Sequence, residues 1–181
     1  MSKRTANTQT DSGTDVFQDE NYRVPVGNFM KFEDGDNKFR ILSKIVTGWK
    51  WWDGETNHRV KTETEIPGNL YGTTGEGAPR HFWAMAVWNY NAQKVQVLEI
   101  HQITIIKAIK LNIEDEGWGD PRSYDIKVHR KNNGGKIEFV VKAMPHSEKP
   151  ETGSILERIN LSALFEGGNV FAPVEEEKAP F

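Results

Sequence analysis

The stretch KFRILSKIVTGWKWW, residues 38–52, decides how the chain folds. Its β-formers Phe39, Ile41, Ile45, Val46, Thr47, Trp49, Trp51 and Trp52 follow the turn-forming Asp34, Gly35, Asp36 and Asn37, which predicts one long strand. Gly48 inside the run signals a bulge or sharp bend, as when one strand serves two sheets. Alternation puts Trp49 and Trp51 on one face and Trp52 on the other, so the three rings cannot share one small core.

Downstream, residues 53–79 lack periodicity and are broken by Gly54, Pro67, Gly68, Gly72, Gly75, Gly77 and Pro79. They read as a long loop, with Arg59 to Ile66 as a short edge strand. His81 to Trp88 and Lys94 to Ile100 flank the polar residues 89–93 and predict a hairpin. Along its first strand Phe82, Ala84, Ala86 and Trp88 share one face, and His81, Trp83, Met85 and Val87 share the other, so one set is expected to leave the core. Ile103, Ile106, Ile109 and Ile113 recur at helical spacing, predicting an amphipathic helix over residues 102–115 closed by Gly117. Glu114, Asp115 and Glu116 at its end oppose the helix dipole, a choice the sequence alone does not explain. Tyr124, Ile126 and Val128, then Ile137, Phe139 and Val141, alternate with polar neighbours around Asn132, Asn133, Gly134 and Gly135, a second hairpin. A short helical stretch around Ser154 to Ile159 should follow.

A bent strand, a hairpin, a helix and a hairpin is the order of an OB-fold, a mainly β, five-stranded Greek-key barrel with its helix between strands 3 and 4. The binding face of such a barrel lies on strands 2 and 3, flanked here by residues 53–79 and 131–135. Residues 1–20 are polar and predict a disordered arm, residues 21–165 one OB-fold domain, and residues 166–181 a flexible acidic tail. That tail ends Glu175, Glu176, Glu177, Lys178, Ala179, Pro180, Phe181, an aromatic carboxy terminus behind an acidic run, which reads as a partner-binding hook.

The net charge of −3 is unusual for a binder of polyanions, but both ends are net acidic, which leaves the body between them mildly basic. There is no Cys, which removes disulfides and thiolate metal sites and suits a reducing compartment. No apolar run reaches membrane-spanning length and the N-terminus is polar, so a soluble cytoplasmic protein is expected. The five His show no paired metal spacing, and there is no phosphate-binding Gly loop or nucleophile elbow. The sequence nominates no catalytic residue, metal or cofactor. Asp34 and Asp36 fit a turn better than a cation site, although a metal-dependent nuclease using them remains a distinct reading.

Six Trp interleaved with cations suit single-stranded nucleic acid, because any base stacks on a ring while Lys and Arg neutralise phosphates. The stacking candidates are Trp49, Trp51, Trp52, Trp83, Trp88 and Tyr90. The phosphate candidates are Arg40, Lys44, Lys50, Arg59, Lys61, Arg80, Lys127 and Arg130. An alternative is an interaction module of the same shape that binds a peptide or another polymer.

The succession KFEDGDNKFRILS at 31–43, GWKWW at 48–52, HFWAMAVWNYNAQKVQVLEI at 81–100, TIIKAI at 104–109 and GWGDPRSYDIKV at 117–128 resembles bacteriophage single-stranded DNA-binding proteins of the OB-fold type. Those proteins also carry an acidic tail ending in Phe. The resemblance implies a non-enzymatic protein that coats exposed strands in phage replication, recombination and repair, in the cytoplasm of the infected bacterium. It also implies that Glu175, Glu176, Glu177, Pro180 and Phe181 contact replication or recombination proteins.

Overall fold

The computed structural model describes residues 28–171. The expected arm over residues 1–20 and the tail residues Glu175 to Glu177, Pro180 and Phe181 lie outside the described residues.

The body is mainly β. Strands β1 (Phe29–Met30), β2 (Gly35–Ile41), β3 (Val46–Trp52), β4 (Asn57–Val60), β5 (Arg80–Asn89), β6 (Lys94–Ile100), β7 (Tyr124–Asn133) and β8 (Lys136–His146) form one sheet, with helix α1 (Ile103–Glu114) between β6 and β7. The sheet runs β1-β6-β5-β2-β7-β8, with β3 also on β5 and β4 on β3. All these pairs are antiparallel except β1 with β6, so the sheet is mixed. It is open among the described residues: β8 pairs only with β7, and β1 takes the edge of β6 at Val97 and Leu98.

The deciding stretch forms two strands. The break falls at residues 42–45, earlier than the bend expected at Gly48, and both halves pair with β5, β2 through Val87 to Asn89 and β3 through Arg80 to Ala84. Ser43 makes the break possible: its hydroxyl accepts the Ala86 N–H at 2.9 Å, while the Ala86 carbonyl accepts the Leu42 N–H at 2.9 Å. Gly48 serves close approach. A Cβ there would lie 2.5 Å from the Val60 carbonyl oxygen and 2.7 Å from the Phe165 ring.

Both hairpins and the helix follow the sequence pattern. The β7–β8 turn is Gly134–Gly135 at φ 60° and 93°, the paired positive φ of the tightest hairpin loop. The acidic end of α1 acquires a reason: Asp115 caps the helix, its carboxylate accepts the Gly117 N–H at 2.7 Å, and its carbonyl accepts those of Trp118 and Gly119. That turn lays Trp118 edge-on against Tyr124 at 5.3 Å.

The middle of strand β5 is covered on both faces, with Phe82 and residues 84–87 buried, while Arg80 at its start is exposed and Trp88 near its end is half-buried. One face carries Met85 and Val87 into the main core with Phe39, Ile41, Leu98, Ile100, Ile105, Ile109, Tyr124, Ile126 and Val128. The other carries Phe82 and Ala84, with Val97 of β6, into a second core closed by Ala163, Leu164 and Val170. These come from a C-terminal strap in which a 3₁₀ turn (Ile155–Arg158) precedes the one-turn helix α2 (Ala163–Glu166). The packed body therefore continues past residue 165: Val170 is buried and Phe171 meets Phe29 edge-on.

Candidate nucleic-acid interface

Cross-strand register places the cationic side chains. Gly48 lies opposite Phe82, and Lys50 lies opposite both Arg80 and Arg59, so Lys50, Arg59 and Arg80 share the outer sheet face with the second core, and Trp52 follows Lys50 on it. Glu99, opposite Ala84, points the same way. Its carboxylate accepts from Lys50 Nζ and, at 2.9 Å, from Arg59 Nε. Burial opposes ionisation of Glu99, yet the two cations outweigh it and hold its carboxyl below the usual range.

Beside this trio opens a cleft of about 310 Å³ lined by Lys50, Trp51, Trp52, Asn57, Glu76, Arg80 and His101, with Gly77 and Ala78. Trp52 is 49% exposed there. Arg80 has no ion-pair partner among the described residues. His101 sits at the end of β6, just before the N-terminus of α1. Burial first, then Lys50 and Arg80, push its imidazole below the usual range. The cleft thus combines one open ring, one guanidinium without an ion pair among the described residues and an imidazole held below its usual range, with the Glu76 carboxylate among them; the ring can stack on a planar group and the guanidinium can pair with an anion.

A second basic patch lies at the opposite end of the same face. Lys38, Lys127 and Lys142 are register neighbours on β2, β7 and β8, next to the row Asp36, His129 and Val140. Asp36, Lys127, His129, Val140 and Lys142 line a depression of about 290 Å³. Asp36 Oδ1 meets His129 Nδ1 at 2.7 Å, and Lys127 Nζ stands 3.6 Å from Asp36 Oδ2.

The structure sorts the sequence candidates. Arg40 is corrected: it is fully buried, bonded to Asp125 at 2.7 Å, to the Arg122 and Ser147 carbonyls and to the Ser147 hydroxyl, so its fork is spent inside the protein. Trp51 is 9% exposed and stacked on His58 at 5.3 Å, and Trp83 is half-buried against the main core. Trp49 is half-buried with its ring 5.3 Å from that of His81, and Trp88 is half-buried on the outer face. Tyr90 donates to Asp125 at 2.9 Å beneath Lys38, and burial, then Asp125, push its phenol up to about 12. Lys44 is exposed at the β2–β3 break, Lys61 stands 5.7 Å over the Phe165 ring, and Arg130 pairs with Asp34 away from the clefts.

Two residues escaped the sequence reading. His101 gave no signal, because only folding brings it to Lys50 and Arg80. Tyr71, 60% exposed, is the only Phe, Trp or Tyr between Asp53 and Pro79, and a lone ring in a Gly-rich loop was a usable sign. Asp34 and Asp36 are both engaged by cations, and the described residues hold no cluster of three metal-ligating side chains. No helix among the described residues is long and apolar enough to cross a membrane. Against known proteins, no family model matches the chain, and neither a curated protein nor a solved structure matches it.

Proposed function

We propose that the protein binds single-stranded DNA without strong sequence preference, using the outer face of an OB-like barrel, and coats exposed strands during phage replication, recombination and repair. The observation that carries this reading is the half-exposed Trp52 ring in one cleft with Lys50, Arg80 and His101. Such a cleft accepts any base by stacking and any phosphate by charge. The OB assignment draws on element order. Taking β2 and β3 as one bent first strand leaves β5, β6, α1, β7 and β8 in OB order, with β2 between β5 and β7.

On this reading the protein is not an enzyme and works in the cytoplasm of the infected bacterium. The tail residues Glu175 to Glu177, Pro180 and Phe181 would recruit replication or recombination proteins, which rests on the family resemblance. A chain ending after Phe171 tests the tail, because a cut at Glu166 would also remove the buried Val170 from the second core.

Titrating oligo-dT should quench tryptophan fluorescence, with affinity falling as salt rises. An absent or salt-independent response overturns the proposal. A gel shift comparing single-stranded with duplex DNA separates it from a peptide-binding module, which would retard neither.

A further inference from the structure

We propose that β8 is a self-association edge: it pairs antiparallel with β8 of a second copy of this chain, in the register that sets Val140 opposite its own symmetry mate. This goes beyond strand binding and rests on different residues from the Trp52 cleft.

Strand β8 is eleven residues long and stands last in the sheet among the described residues. Its outer edge presents unpaired backbone groups, a template for another strand. Burial shows the same incompleteness. On β7 the core-facing row Tyr124, Ile126 and Val128 is fully buried, whereas on β8 the neighbouring row Phe139, Val141 and Ala143 is only half-buried and Ile137 is 37% exposed. A further strand would finish covering that row.

The solvent-facing row reads Lys136, Glu138, Val140, Lys142, and its order selects one register. Centring on Val140 puts Glu138 of each copy opposite Lys142 of the other, Ile137 opposite Ala143, and Phe139 opposite Val141. Centring on Phe139 sets Lys136 against Lys142. Centring on Glu138 or Lys142 sets like charges against themselves, and centring on Val141 leaves Glu138 facing Met144. Centring on Ile137 runs into the Gly134–Gly135 turn beyond Lys136. Within its own chain Glu138 has only exposed contacts, with Lys136 at 3.7 Å and Asn133 at 3.3 Å, so it is available to a partner. A strand pair alone is smaller than a standard interface, so association should be weak and concentration-dependent.

The chain has no Cys, so one introduced thiol reports cleanly. Paired residues across an antiparallel ladder have Cα atoms about 4.5–5.5 Å apart, within disulfide range. Mild oxidation of the full-length Val140→Cys variant should give a covalent dimer, while Leu111→Cys, on the exposed side of α1, should not. In sedimentation without DNA, Glu138→Lys alone and Lys142→Glu alone should each weaken association by roughly tenfold or more, since two attractive pairs become repulsive. The double exchange should restore it. All these positions are exposed, and thermal melts verify the fold of each variant. A chain that sediments as a monomer at high concentration overturns the proposal, as does Val140→Cys linking no better than Leu111→Cys, or a double exchange that fails to recover. Oligo-dT binding is scored separately, so failure here leaves the strand-binding reading standing.

Discussion

On the proposed strand-binding reading, Trp52, Arg80 and His101 each make a separable prediction. Trp52→Ala should weaken oligo-dT binding about tenfold, since stacking contributes about 1–3 kcal/mol per base, with little change in melting temperature because the ring is half exposed. Trp83→Ala should do the reverse, lowering the melting temperature through lost core packing. Arg80→Ala should reduce the slope of log affinity against log salt by about 1, the signature of one phosphate contact, read from titrations at several salt concentrations. His101 predicts a pH effect on stability. Its folded pKa is depressed, so the unfolded chain takes up a proton first as pH falls below about 6.5, and stability drops from there toward the lower folded pKa. Thermal melts between pH 7.5 and 5.5 should show a smaller loss for His101→Gln than for the parent; equal losses would reject it. The sequence exposed the cluster of rings, because alternation separates Trp52 from Trp49 and Trp51. It did not reveal which row meets solvent, because that depends on what covers each face.

Among the elements, β3 and the C-terminal strap are one packing unit. Gly48 lets the strap approach, and Phe165 lies 6.0 Å from Phe82, stacked over the gap. Gly48→Ala should therefore destabilise by about 1–3 kcal/mol, because the close neighbour is the Val60 backbone, which cannot rotate away. Denaturant unfolding measures this, and a neutral result would mean that β4 shifts freely. The hairpins and α1 were legible because their periodicities are local and their turn residues carry their own geometry. The β2–β3 break was not, since Ser43 breaks the ladder by bonding to a strand 43 residues away. Nor was α2, whose four residues are too few to show a helical period. Parallel β1, two residues long, was equally silent.

Across the whole molecule, Arg40 and Asp125 bind β2 to β7 and to the segment after β8 through Ser147. Arg40→Ala should cost about 3–5 kcal/mol, because it leaves Asp125 buried without its closest cation, and Lys38 at 3.5 Å replaces it poorly. Equilibrium unfolding tests this, and a loss below about 1 kcal/mol would place Arg40 back among surface cations. The order of elements, the single mainly β body and the abundance of rings and cations could be read from the chain alone, since propensity, period and turn chemistry act between near neighbours. Tertiary structure decided the rest: that the middle of β5 is covered on both faces, that the sheet stays open at β8 among the described residues, that Arg40 is structural, and that Lys50, Arg80 and His101 meet around Trp52. Those outcomes depend on which distant segments touch, and burial and charge pairing are properties of contact in space rather than of position along the chain.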